Sequence, residues 1–190
     1  MLYLLHDYNQ RLQQSKAMVR IAPIPFEEAP PAAQAEWERQ VAAHGRMTNM
    51  KRTLARSATA LDTYMQWYPL RDEVELFLGE RLTLLFAHAI SAETDCLICS
   101  TYFRRYLVDQ GENPDALVLN EKEQTFVRLG RQIANDPHGV SDDLFAAVEA
   151  HLGPHEIVTL TAFAGMMVAT NIINNVLKVD LDEYLEGYRA

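Results

Sequence analysis

The stretch Ala89-Ile90-Ser91-Ala92-Glu93-Thr94-Asp95-Cys96-Leu97-Ile98-Cys99-Ser100 decides how this sequence is read. An apolar stripe of Leu82, Leu85, Phe86, Ala89 and Ile90 runs into it with the i, i+3, i+4 spacing of a core-facing helix. Past it, a second helix is expected from Cys96 to about Asp109, stopped by Gly111, with Thr94 or Asp95 as its N-cap. The two cysteines therefore fall in the first turn of a helix that follows another almost without a loop.

Working outward, the rest of the chain repeats the helical pattern. A helix is expected from about Leu2 to Val19, then an extended Ile21-Ala22-Pro23-Ile24-Pro25-Phe26, because a residue before proline avoids the helical region. Pro30-Pro31 open a helix to about His44, closed by Gly45. A short helix follows from Asn49 to Arg56. Ser57 caps the next, which holds Leu61, Tyr64, Met65, Trp67 and Tyr68 and bends or restarts at Pro69. Asn120 and Glu123 form a capping box for a helix to about Ala134, Ser141 starts another, and Gly153-Pro154 open the last long one. Its expected stripe is Ile157, Leu160, Ala164, Val168, Ile172 and Val176, and a final short helix begins near Asp180. Neither alternating β-branched runs nor an Asn-Gly hairpin signal occurs. The reading is all-α, a single-domain helical bundle, with residues 1–45 as an N-terminal helical arm and 46–190 as the main domain.

Composition narrows the function. With 48% hydrophobic residues the chain can build a substantial core, and its net charge of −9 argues against nucleic acid or an anionic membrane as partner. The nearest thing to a basic cluster, Lys51-Arg52 followed by Arg56, reads as a solvated helix face. The apolar window Val158 to Leu177 carries Thr159, Thr161, Thr170, Asn171, Asn174 and Asn175, which argues for a buried helix rather than a membrane span. The start Met1-Leu2-Tyr3-Leu4-Leu5-His6-Asp7 has no basic segment and too short an apolar run for a signal peptide, so the protein is expected in the cytoplasm.

Two cysteines three apart in such a chain leave three readings: a redox pair, half of a metal site, or two small buried hydrophobes. The helix start favours the first. Unpaired N–H groups and the partial positive charge there stabilise a thiolate, the nucleophile that attacks a peroxide O–O bond. A second sulfur one turn away can close a disulfide and resolve the oxidised first. Zinc needs four ligands, and none of the six histidines forms a Cys-x-x-Cys-like partner pair at short spacing. No cofactor motif accompanies the cysteines.

The cysteine segment resembles the core motif of the alkylhydroperoxidase AhpD-like, or carboxymuconolactone decarboxylase-like, group, where one helix leads straight into Cys-x-x-Cys. Asn49-Met50-Lys51-Arg52-Thr53-Leu54 through Met65-Gln66-Trp67-Tyr68, and Thr161-Ala162-Phe163 through Asn171-Ile172-Ile173-Asn174-Asn175-Val176-Leu177, look similar to peroxidase-related members. The resemblance covers about residues 45 to 185 and implies a one-domain helical fold assembling as dimers, trimers or hexamers. It also implies that Cys99 attacks the peroxide, while Cys96, nearer solvent, completes the disulfide and meets the reductant. The group's proton relay uses a His four residues after the second cysteine and a Glu twelve before the first. Here those positions are Phe103 and Leu84.

Substitutes are nominated on spacing. Glu93, three residues before Cys96, could accept a proton, though an exposed carboxylate near a helix start is the plainer reading. His88, eight residues before it, could reach toward the sulfurs, or be a satisfied core histidine. Tyr102, three after Cys99, could donate its hydroxyl to a ligand, or be one more packed aromatic. Arg104 and Arg105 read as surface or interface ion pairs. The function expected is a thiol-dependent hydroperoxidase with peroxiredoxin-type antioxidant activity, taking a small hydroperoxide and a thiol or dithiol reductant. The alternatives are carboxymuconolactone decarboxylase-type chemistry and a non-catalytic oligomer with structural or redox-sensing thiols.

Overall fold

Residues 19–189 are described by a computed structural model, so the helix expected from about residue 2 lies outside them save at its last position. Nine α-helices and no strand occupy the described residues: α1 (Pro31–His44), α2 (Asn49–Leu54), α3 (Ala58–Met65), α4 (Tyr68–Leu78), α5 (Glu80–Glu93), α6 (Leu97–Asp109), α7 (Glu121–Asn135), α8 (Asp142–Glu149) and α9 (Pro154–Leu177). The all-α expectation holds. The ends follow local chemistry: Ser57 and Ser141 accept from Ala60 and Leu144 N–H, and Asn120 and Glu123 exchange two 2.9 Å bonds in a full capping box. The last short segment is a 3-10 helix, Glu183–Tyr188, beginning slightly later than expected.

Helix α5 is the central element. Leu82, Leu84, Leu85, Phe86, Ala87, Ala89 and Ile90 are all buried, so it is apolar nearly all round, and α6, α7, α4 and α9 pack against it. Close approach of α7 is permitted by Gly130: a Cβ there would lie 3.1 Å from the Phe86 carbonyl oxygen. Phe86 stacks on Phe163 of α9 with centroids 6.2 Å apart, joining the two longest buried surfaces.

In α9 the expected stripe is only half right. Leu160 and Ala164 are buried, but Ile172 and Val176 face outward; the buried face continues instead through Phe163, Met167, Asn171 and Asn174. Successive i+4 steps explain the error, since each overshoots a full turn by about 40° and four in a row rotate the stripe away from the core. The helix is long and apolar enough to cross a membrane by length and composition, yet it packs against α5, α4, α7 and α8.

The basic cluster is a solvated face only in part: Arg56 is exposed and Arg52 half-buried. Arg52 Nε and Arg56 Nε donate to the carbonyls of Ile24 (3.3 Å) and Ala22 (2.8 Å), pinning the extended segment before α1. Lys51 is 5% exposed and turns inward.

Candidate active site

The turn between α5 and α6 spans Thr94 to Cys96, and α6 starts one residue later than the sequence suggested. Cys96 N–H donates to Ser91 O (3.0 Å), and Asp95 takes a left-handed conformation with φ 53°. Asp is one of the few non-glycine residues that tolerate this region, because its short polar side chain bonds locally. Neither expected cap serves: Thr94 Oγ1 donates back to Ile90 O (3.0 Å), and Cys96 itself occupies the N-cap position. Its extended backbone (φ −89°, ψ 98°) places the first sulfur at the open end of α6, and Cys99 follows one turn on.

Three asparagines of α9 fasten this turn. Asn171 Nδ2 donates to Thr94 Oγ1 (2.7 Å) and Asn175 Nδ2 to Thr94 O (2.8 Å). Between them, Asn174 Nδ2 donates to Cys99 Sγ (3.3 Å) and Cys96 Sγ (3.7 Å). These are the polar residues that spoke against a membrane span. Their placement on the buried face of α9, within an apolar stripe, was the available signal for a site.

Both thiols are free. They differ sharply in their electrostatics. Cys96 is held below the ordinary thiol value, first because Cys99 S–H donates to it, and further by the amides of Cys99 and Ile98 and by Asn174. Cys99 is pushed well above that value by its bond to the Cys96 sulfur, by burial and by its neighbour's charge. The pair therefore shares one proton after its first ionisation, with the negative charge centred on Cys96. Both side chains are buried. The resemblance implied that Cys96 lies nearer solvent; here neither sulfur is exposed, and Cys99 is the one that lines a cavity.

It opens into a cavity of about 600 Å3, a size typical of small-molecule sites. The walls around Cys99 are Phe103 and the tyrosines Tyr64, Tyr68, Tyr102, Tyr106 and Tyr184. Burial and the Cys99 charge push the Tyr68 phenol up to about 12, and burial with the Tyr106 hydroxyl (3.2 Å) raises Tyr102. Both phenols thus stay protonated at neutral pH and can donate. Phe103 replaces the relay histidine in the cavity wall, and Leu84 is buried in the core.

Of the sequence-nominated residues, Cys99 and Tyr102 line the cavity together. Glu93 and His88 do not. Glu93 is exposed in a separate shallow depression beside Arg128, Arg131 and Gln132. His88 is half-buried with Arg104, Arg131 and Asp115 around it, its pKa lowered by burial first and then by the two arginines. Glu93 turns toward α7 and His88 toward Arg104 and Arg131, so neither reaches the cavity. Arg104 pairs with Asp115 (2.6 Å) and Arg105 with Asp109 (3.9 Å), as expected, but Arg105 also lines the cavity and lies over the Tyr106 ring (4.4 Å). Among the described residues no three of His, Cys, Asp and Glu gather to hold a metal ion.

This order of packed helices is found in solved structures. The debrominase Bmp8, in a complex of a cysteine-to-alanine variant with 2,3,4-tribromopyrrole, matches with TM-score 0.75 and 11% identity over 92% of this chain and 97% of that one. An uncharacterized peroxidase-related protein from Silicibacter sp. TM1040 matches with TM-score 0.71 and 14% identity, covering 93% and 100%. An alkylhydroperoxidase AhpD core protein from Ralstonia eutropha JMP134, also peroxidase-related, matches with TM-score 0.66 and 16% identity, covering 87% and 94%. The chain has the AhpD-like fold. No protein-family model and no curated protein matches the sequence. In this chain the cavity at Cys99 is lined by tyrosines, with Phe103 at the position four residues after the second cysteine.

Proposed function

We propose that this chain is a thiol-dependent hydroperoxidase whose dithiol is Cys96 and Cys99. One observation supports it most: two sulfurs a helical turn apart share the Asn174 amide, and one of them faces a cavity of substrate size. The peroxide enters there and meets Cys99. As the Cys99 sulfur attacks the distal oxygen, its proton passes to the Cys96 sulfur, the O–O bond breaks and an alkoxide leaves. That alkoxide takes the thiol proton, either directly or through a neutral tyrosine hydroxyl, Tyr102 or Tyr68. Cys99 is now a sulfenic acid. The Cys96 thiolate attacks its sulfur, the disulfide forms and hydroxide departs. The peroxide gains the two electrons the dithiol loses. A thiol or dithiol reductant then restores the pair by exchange, which suits a reducing compartment such as the cytoplasm. Consumption of cumene hydroperoxide by the wild type with dithiothreitol, abolished in Cys99→Ser, is the expected result. Consumption that persists unchanged in that variant removes the reading.

A second reading is favoured by the likeness to a debrominase bound to a bromopyrrole and by the aromatic cavity walls. There a thiolate would take the halogen of a haloarene as the ring gains a proton, and the second thiol would displace halide to close the same disulfide. Bromide release from 2,3,4-tribromopyrrole, measured alongside peroxide consumption, separates the two.

A further inference from the structure

Lys51 is a nearly fully buried cation in the wall of the Cys99 cavity. Among the described residues, the direct partner of its ammonium is a neutral one, the Gln40 carboxamide oxygen at 2.6 Å. The nearest carboxylate in that direction is already engaged: Glu36 accepts from Gln40 Nε2 (2.8 Å) and from Arg39 Nε (2.7 Å). The Lys51 ammonium otherwise lies over the Tyr68 ring, 4.9 Å from its centroid. A buried charge is normally paired, and this one is matched by a dipole and a π face.

The other cavity cations are similarly disposed. Arg46 and Arg105 lay their guanidinium groups on Tyr184, at 4.3 and 5.3 Å, and the buried Nε of Arg105 has no hydrogen-bond acceptor, with the Asp109 carboxylate 3.9 Å away. Arg71 pairs with Glu75 at 2.9 Å. Against these four cations the cavity sets two carboxylates. Asp182 spends an oxygen on Asn49 N–H (2.8 Å), and Asp72 is exposed. A chain of net charge −9 thus gathers positive charge around its cysteine, and a low-dielectric concave wall focuses such a field toward an anion.

We propose that the cavity binds an organic acid, its carboxylate anchored on Lys51, its apolar or aromatic body lying along the tyrosines toward Cys99. A single buried ammonium flanked by a neutral amide matches a singly charged carboxylate rather than a dianionic phosphate. The substrate class follows: hydroperoxides that carry a carboxylate. That reacting group rests on the hydroperoxidase reading, whereas the anion site does not.

The test separates the two. In calorimetric titrations, 4-isopropylbenzoate binds the wild type about tenfold tighter than 4-isopropylbenzyl alcohol, as a charge-assisted bond allows. The preference disappears in Lys51→Met. Equal affinity for acid and alcohol in the wild type, or a preference that survives the substitution, overturns the anion site. Should Lys51→Met fail to fold, protection of Cys99 from alkylation decides on the wild type: the benzoate slows it and the alcohol at equal concentration does not, and equal protection overturns the proposal. In turnover, the ratio of kcat/KM for 4-carboxycumene hydroperoxide over cumene hydroperoxide is about ten or more and collapses in Lys51→Met. If neither peroxide is consumed, the hydroperoxidase reading fails while the benzoate titration still decides the anion site.

Discussion

Replacing Asn174 by leucine tests the electrostatics of the cysteine pair most directly. The amide donates to Cys99 Sγ at 3.3 Å and to Cys96 Sγ at 3.7 Å, so it favours whichever sulfur carries charge. A hydrogen bond to a charged acceptor contributes about 1.5–3 kcal/mol, and the long distances to sulfur argue for the lower end. At about 1.4 kcal/mol per pKa unit, loss of the amide raises the first ionisation of the pair by about one unit. Alkylation by iodoacetamide at neutral pH then slows about tenfold, and its pH-rate profile moves bodily upward. Stability should move differently. Asn174 Oδ1 is buried without a donor, so the leucine removes an unsatisfied polar atom while keeping the side chain's branched shape. The melting temperature should hold or rise. Superimposable pH-rate profiles for wild type and Asn174→Leu refute the reasoning. So does a shifted profile in a protein whose melting temperature has collapsed, since that would make Asn174 only a packing residue.

Other consequences are simpler to read. Glu93→Gln and His88→Gln leave peroxide consumption within about twofold of wild type, because neither side chain lines the cavity; a hundredfold loss, the size expected for a proton-transfer group, would return them to the mechanism. Burial lowers the Lys51 ammonium from 10.5 to about 8, against a smaller raising influence from Glu36. Between those values the unfolded lysine holds a proton that the folded one has released, so stability climbs with pH from about 8 to 10.5, by about 3 kcal/mol at most. His44, Tyr68, Arg71 and Asp72 share this wall, so the comparison is the difference between wild type and Lys51→Met in urea melts: the variant is flatter there and more stable near neutrality. Finally, Val158, Ala162, Gly165 and Ile172 form an exposed apolar stripe along α9, which we propose a second copy covers; Gly165→Arg should then convert the protein to a smaller species by light scattering.

Much of the architecture was readable because helix ends are local chemistry. Asn120 with Glu123, Ser57, Ser141 and Pro154 each act within a few residues, and each stands where the sequence put it. The α5–α6 turn was misread because a left-handed Asp95 lets Cys96 take the cap that Thr94 or Asp95 would otherwise supply. The cysteine pair was legible, but its surroundings were not. Asn174 is 75 residues from Cys99, and only the packing of α9 over α6 unites them. Lys51 was hidden by its neighbours: next to Arg52 it looks like surface. Its spacing said otherwise, since Leu54 and Ala55, three and four residues on, share its buried face.

The same contrast bears on how this site does its chemistry. A histidine relay supplies protons from a group that titrates near neutrality. Phe103 cannot, and no histidine takes its place in the wall around Cys99: His44 lines the cavity, but it stacks on the Tyr68 ring at 5.9 Å and has its pKa lowered by burial. What surrounds the sulfur instead is a set of phenols that hold their protons and a ring of arginines that stay charged, with Lys51 releasing its proton only on the alkaline side. Such a site is poorly suited to shuttling protons through its walls. It is better suited to attracting an anion and letting the two thiols settle the one proton between themselves. The Cys96 sulfur, buried and hydrogen-bonded, is then both the local base and the later nucleophile. On this argument the pH dependence of turnover follows the ionisation of the dithiol itself, a single rise on the acid side, with any alkaline fall set by Lys51.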